Sequence, residues 1–260
     1  MSSNSSAAEV ELARRAIGLI DLTDLADDHS GDQIAELCSR AKAHHTAAVC
    51  VWPEHVAQCA ILLQGSDVRV ATVVNFPTGT EPPDDVLAAT RRALADGADD
   101  IDVVIPYSAL MDGDRGAVSR LVSDVAALIP GHVGLKTILE TGTLETPELI
   151  AAAAQIAVDS GADFIKTSTG KAGSGASPEA VRVMLEVIAQ ARDAGKVVGL
   201  KPSGGIRDYS DAASYLAQAD EAMGSDWATP ATFRFGASGL LDALIAIVEG
   251  SDYSGDSEQY

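Results

Sequence analysis

The chain has 260 residues and a formal charge of −20 at neutral pH, 38 acidic residues standing against 18 basic ones that do not cluster along the sequence, so a nucleic-acid partner is excluded. No apolar run approaches the roughly 20 residues needed to span a bilayer, and the opening MSSNSSAAEVEL lacks the basic start and apolar core of a signal peptide, which leaves a soluble, cytoplasmic protein without a membrane partner. Three cysteines, Cys38, Cys50 and Cys59, are an odd number without C-x-x-C spacing, so neither a disulfide framework nor a thiolate metal site is expected and the compartment is a reducing one. The acidic excess serves solubility, with adaptation to high salt as the alternative reading.

With 47% hydrophobic residues but only four Phe and two Trp, the core must be built from Ala, Val, Leu and Ile. That is the composition of short buried strands under helical cover. In chain order, β-rich runs recur about every 30 residues, at 17–21, 47–51, 70–75, 100–105, 133–139, 163–168, 197–201 and 233–236. Segments with helical period lie between them, among them 32–44, 83–96, 146–160 and 177–194. Thr146-Pro147-Glu148 and Ser177-Pro178-Glu179 have the cap, early proline and acidic first turn of a helix start. Eight βα units in about 250 residues predict an α/β protein of one domain, a (β/α)₈ TIM barrel at 13–249. An open dinucleotide-binding sheet is the rival, but no G-x-G-x-x-G follows the first strand. Residues 1–12 and 250–260 are small, polar and aperiodic, and are expected to be a mobile N-terminal segment and a flexible C-terminal tail.

In such a barrel the reacting groups sit at the carboxyl ends of strands, which selects Asp21, Cys50, Asn75, Asp102, Lys136, Lys166, Lys201 and Ser238. Lysine is scarce, six residues in all, yet Lys136, Lys166 and Lys201 stand within apolar runs where an ammonium is costly without a partner or a task. Lys166, in DFIKTSTGK, and Lys201, in VVGLKPSGGI, fall on neighbouring strands, so repulsion and desolvation favour a neutral amine on at least one of them. Asp102, in DDIDVVIPYSAL, is a carboxylate in a strand interior that needs a facing cation; Asp99 and Asp100 read as solvent-facing residues at the strand's start. An amine, a second cation and a carboxylate can make and dehydrate a carbinolamine and move a proton at the adjacent carbon.

The loops after strands 7 and 8, Ser203-Gly204-Gly205 and Gly236-Ala237-Ser238-Gly239, offer close backbone approach and N–H groups at helix starts, as a phosphate site requires. Lys171, following Thr169-Gly170, adds a charge beside them. The five histidines show no H-x-x-x-H arrangement, which argues against a metal-dependent mechanism.

ATVVNFPTG at 71–79, GADDIDVVIPYSAL at 97–110, LKTILETG at 135–142, GADFIKTSTGK at 161–171, VGLKPSGGIR at 198–207 and FRFGASGL at 233–240 resemble, in order and spacing, blocks of the deoxyribose-phosphate aldolase family, a class I, Schiff-base-forming group. The likeness runs from Ile20-Asp21-Leu22-Thr23 to Tyr260. It implies reversible cleavage of 2-deoxy-D-ribose 5-phosphate into acetaldehyde and D-glyceraldehyde 3-phosphate, without metal or organic cofactor, by a homodimer. It further implies Lys166 as the Schiff-base lysine, Asp102 and Lys201 as proton donor and acceptor, and Tyr260 as a late-arriving proton carrier. Asp21, Thr23, Cys50, Asn75, Lys136 and Thr169 would line the substrate, and Gly170, Lys171, Gly204, Gly205, Gly236 and Ser238 would hold the phosphate. Two departures bear on phosphate affinity: the Gly-rich AGSGAS after Lys171, and Gly239 where relatives often carry serine. The alternatives are a Schiff-base aldolase for another sugar phosphate and a non-enzymatic phosphosugar sensor.

Overall fold

The computed structural model describes residues 6–251. Its strands are β1 (Ile20–Asp24), β2 (Ala48–Val51), β3 (Arg69–Val74), β4 (Asp100–Val104), β5 (Gly134–Ile138), β6 (Phe164–Lys166), β7 (Gly199–Lys201) and β8 (Phe235–Ala237). All pair in parallel, in the order β7-β6-β5-β4-β3-β2-β1-β8. The two ends of that order meet through single parallel bridges from Leu200 to Phe233 and from Ser203 to Gly236, and Arg234 N donates to Leu200 O at 3.0 Å. The ring is thereby the expected (β/α)₈ barrel.

The helices are α1 (Ala7–Ile17), α2 (Gly31–His44), α3 (Val56–Leu62), α4 (Pro83–Ala95), α5 (Tyr107–Met111), α6 (Arg115–Ala126), α7 (Thr141–Leu144), α8 (Pro147–Asp159), α9 (Pro178–Asp193), α10 (Tyr209–Met223) and α11 (Leu240–Glu249). Local chemistry explains where they begin. Thr146 Oγ1 accepts from Leu149 N, and Ser177 Oγ accepts from Ala180 N, with proline as the next residue in both. Asp208 and Asp211 make a reciprocal capping box at the start of α10.

The N-terminal expectation needs correction. Residues 7–12 are helical: Ser6 and Glu9 form a capping box, and α1 buries Ala13, Ala16 and Ile17 where it packs against α11. Arg15 ties it to Asp220 of α10 through hydrogen bonds of 2.7 and 2.8 Å. Consequently Ile17 ends this helix, and the first strand starts at Ile20, three residues later than the apolar run suggested.

Strand alternation sorts side chains between two apolar layers. Leu22, Ile101, Val103, Leu135, Ile165 and Leu200 face outward into the layer shared with the helices. Ala48, Cys50, Ala71, Val73, Val104 and Ile138 form a smaller cluster. The opposite parity to the outward set carries Asp21, Asp100, Asp102, Lys136, Lys166, Lys201 and Arg234, all buried. Phe164 fills the space beside β7: a Cβ on Gly199 would sit 2.3 Å from its ring, so glycine is required there. Lys136 Nζ and Arg234 Cζ lie 5.9 and 5.8 Å from the centre of the same ring.

Candidate active site

Registry brings the charged residues together. Lys166 pairs with Lys201 across β6 and β7, and Asp102 with Lys136 across β4 and β5. The lysine-bearing strands are locked by short-range bonds: Thr167 N donates to Lys201 O at 3.1 Å, and Ser203 N donates to Thr167 Oγ1 at 2.9 Å. Gly236 makes room for the lysine stem, since a Cβ there would lie 3.1 Å from Lys201 Cε and 2.6 Å from Ser203 Cβ.

Asp102 is the hub. Its Oδ2 accepts from Lys201 Nζ at 2.7 Å and from Lys166 Nζ at 3.0 Å, while Oδ1 stands 3.1 Å from Lys136 Nζ. Asp21 grips Lys201 from the other side, Oδ2 to Nζ at 2.6 Å, and its Oδ1 accepts from Arg234 Nη1 at 2.7 Å. Lys136 also contacts Asp100 Oδ2 at 2.8 Å.

The two neighbouring lysines are driven apart in protonation. Burial, then repulsion from Lys201, lowers the Lys166 pKa below that of a free lysine. Burial acts on Lys201 in the same sense, but the carboxylates of Asp102 and Asp21 outweigh it and hold Lys201 well above the ordinary value. Burial would raise Asp102; Lys136, Lys201 and Lys166 together hold it well below the usual carboxylate range. Cys50 is pushed up, chiefly by burial, and stays a thiol.

Above this network opens a cleft of about 320 Å³ at the carboxyl ends of the strands. Lys166 forms part of its lining, with Thr23, Thr169, Gly170, Gly204, Gly205, Gly236 and Ser238. Gly170, Gly204 and Gly205 have φ of 81°, 82° and 78°, the left-handed region that glycine enters at no steric cost. Lys171 follows this wall, its N donating to Thr169 Oγ1 at 3.1 Å.

Some expected lining residues lie elsewhere. Asp21, Cys50 and Lys136 are fully buried and do not line the cleft. Asn75 does not line it either: with φ 57°, its Nδ2 donates to Val104 O at 2.7 Å and its Oδ1 accepts from Glu81 N at 2.8 Å, which staples the loop after β3. Asp100, read as solvent-facing, is buried between Lys136 and Arg69, because it shares strand parity with Asp102. Asp99 is half-buried and accepts from Val70 N at 2.9 Å. Tyr260 falls outside the described residues. Sequence reasoning missed Arg234, Glu140 and Arg207. Arg207 lines the cleft; Arg234 and Glu140 are buried, and each shares the parity of a residue the sequence singled out, Gly236 two positions away and Lys136 four.

Among the described residues, no group of three or more His, Cys, Asp or Glu is arranged to hold a metal ion, and no helix is long and apolar enough to cross a membrane.

A buried lysine pair on one carboxylate, under a glycine-walled cleft at the carboxyl face of a (β/α)₈ barrel, defines a class of enzyme that works on carbonyl compounds by amine and proton chemistry. Residues 15–244 match the DeoC/LacD family aldolase, and the chain belongs to that family: it is an aldolase, a carbon–carbon lyase. It is 47% identical over 245 residues to the curated deoxyribose-phosphate aldolase of Agrobacterium fabrum, covering 93% of each chain. A crystal structure of a candidate deoxyribose-phosphate aldolase from Toxoplasma gondii superposes with a TM-score of 0.85 at 27% identity, over 95% of this chain and all of that one. The deoxyribose phosphate aldolase of Aeropyrum pernix, described as a tetramer, shares the fold at a TM-score of 0.74 and 24% identity, over 93% of this chain and 97% of that one.

Proposed function

We propose that the chain cleaves 2-deoxy-D-ribose 5-phosphate reversibly to acetaldehyde and D-glyceraldehyde 3-phosphate through a Schiff base on Lys166, in deoxyribose phosphate catabolism. The observation that carries the reading is the shared oxygen: Asp102 Oδ2 holds Lys201 at 2.7 Å and Lys166 at 3.0 Å, and of the two lysines only Lys166 opens to the cleft. The neutral Lys166 amine attacks the C1 aldehyde. Asp102 and Lys201 pass protons so that the carbinolamine loses water and a cationic imine forms. A base then removes the C3 hydroxyl proton, the C2–C3 bond breaks, and its electron pair moves into the imine to leave an enamine as glyceraldehyde 3-phosphate departs. Protonation at C2, assigned to Tyr260, and hydrolysis of the imine release acetaldehyde and return Lys166. No step calls for a metal or an organic cofactor.

The phosphate is assigned to the backbone N–H groups and hydroxyls of Gly170, Gly204, Gly205, Gly236 and Ser238, with Lys171 and Arg207 as nearby charges, because all five line one cleft and the left-handed Gly170, Gly204 and Gly205 let the backbone approach a ligand closely. The same reading takes the working form as a cytoplasmic homodimer, for which light scattering is the check.

Borohydride reduction in the presence of acetaldehyde, followed by peptide mapping, tests the assignment. Label should fall on the peptide that contains Lys166. Label chiefly on Lys201 or Lys136 in the native enzyme overturns it.

A further inference from the structure

Glu140 is a buried acid that the chemistry above does not use. It follows β5, in the same inward parity as Lys136 and Ile138, and takes a left-handed φ of 56° although it is not glycine. Its Oε2 accepts from Thr169 N at 3.2 Å; Oε1 is buried and has no hydrogen-bond partner among the described residues. Burial raises its pKa, and the bonds from Thr169 and the attraction of Lys166 only partly offset that.

Thr169 is the residue through which this carboxyl reaches the cleft. Thr169 Oγ1 accepts from Lys171 N at 3.1 Å, so the turn through Gly170 is fixed at both ends by one residue that Glu140 holds. Two residues beyond Glu140, Gly142 meets the far part of the same loop: a Cβ there would lie 2.3 Å from Ser174 O and 2.4 Å from Ser174 Oγ. The stretch 140–142 is therefore bonded to the loop at Thr169 and packs closely against it at Ser174. Between those two points lie Gly170 and Gly173, which line the cleft.

We propose that Glu140 is a positioning residue for phosphate recognition: its buried carboxyl sets the Thr169–Gly170–Lys171 turn, and so the wall of the cleft that receives the sugar phosphate, without taking part in bond making at Lys166. This rests on the phosphate assignment above.

The test compares Glu140→Ala and Glu140→Gln on deoxyribose 5-phosphate, on unphosphorylated deoxyribose, and in borohydride trapping of acetaldehyde. Losing the bond to Thr169 should raise KM for the phosphorylated sugar by about tenfold. kcat/KM for deoxyribose and labelling of Lys166 should stay within about twofold, because neither uses the phosphate wall and Lys166 is bonded to Asp102, its coupling to Glu140 being through space only. Gln retains an acceptor oxygen and should restore KM. Unchanged KM in Glu140→Ala overturns the proposal, as does equal loss on both sugars, which would place Glu140 in the chemistry at Lys166. Glu140→Gln behaving like Glu140→Ala also overturns it. If the Ala variant does not fold, Glu140→Asp, too short to reach Thr169 N, makes the same comparison. Titration with inorganic phosphate keeps the two readings apart: weakened phosphate binding in the variant supports the positioning role even if the wild type acts on another sugar phosphate, and equal binding by variant and wild type removes it.

Discussion

Gly175→Ala should cripple recognition of deoxyribose 5-phosphate while sparing amine chemistry. A Cβ added at Gly175 would lie 2.1 Å from Gly204 O, 2.3 Å from Gly204 C and 2.8 Å from Gly204 Cα. Ordinary contact begins near 3.4 Å, so one of the two backbones must retreat by about 1.3 Å, the difference between 3.4 and 2.1. Neither retreats freely. Ala176 N donates to both Ser203 O and Gly204 O at 3.0 Å, and Ser203 N is bound to Thr167, the residue that follows β6. A displacement of about 1 Å in a positioning element costs on the order of 10²-fold in rate, equivalent to about 2.7 kcal/mol. Steady-state kinetics on deoxyribose 5-phosphate should therefore show kcat/KM down by about 100-fold, with most of the change in KM. Trapping of acetaldehyde on Lys166 supplies the control and should be unaffected. A variant with kcat/KM within about threefold of wild type would show that the loop yields without moving Gly204, and the packing argument for the phosphate wall would fail.

Lys201→Leu removes both the like charge and the competitor for Asp102 Oδ2, two changes of the same sign; the rise of imine formation with pH should move to higher pH, and an unchanged profile at full activity would take Lys201 out of the mechanism. Lys136→Met strips a fully buried cation from Asp100 and Asp102 and should cost about 3–5 kcal/mol, lowering Tm by on the order of 10 °C; a loss under about 1 kcal/mol in urea titration refutes that account. With a net charge of −20, Tm should rise from low to moderate NaCl as self-repulsion is screened, and a flat or falling curve counts against it.

The barrel was legible because parallel strands buried on both sides leave short, unmistakable apolar runs, spaced by one helix each. Boundaries were less so. Only Gly18, the C-cap of α1, separates the apolar Ala16 and Ile17 from Leu19 and Ile20, and a single glycine within an apolar run does not by itself announce a helix end. α5 and α7, of five and four residues, are too short to show a period.

In the site, residue type gave the lysines away, since an ammonium in an apolar run demands a reason. The acids were harder. Asp100 lies next to Asp99 in a polar-looking DDID stretch, and only strand parity with Asp102 reveals that one faces inward. Arg234 gave no such signal because a long cation near a strand end ordinarily snorkels to water; here Asp21, Asp100 and the Phe164 ring enclose it. Glu140 has one clue in the sequence, its two-residue step from Ile138, but its partner is a backbone N–H that no pattern of side chains announces.

Burial alone does not decide which lysine is left to react, for Lys201 is 0% and Lys166 2% exposed. What differs is the company. Asp21, Asp100 and Asp102 are three carboxylates; the buried cations Lys136, Lys201 and Arg234 pair with them at 2.6 to 3.9 Å, and the partly exposed Arg69 adds a further contact to Asp100 at 2.9 Å. Lys201 has an oxygen from each of two carboxylates, whereas Lys166 shares the one that Lys201 already holds. Lys166 therefore enters a network whose carboxylates already have their cations, and for it the neutral form costs least. In the proposed mechanism a carbonyl compound turns that amine into an imine whose nitrogen must keep its proton to act as an electron sink, and Asp102 Oδ2, 3.0 Å from Lys166 Nζ, is in place to favour the protonated form. On the proposed mechanism the pairing that favours a neutral Lys166 at rest is the same pairing that would steady its intermediate, which would bring the buried Arg234 and Asp21 into the energetics of the reaction through their hold on Lys201.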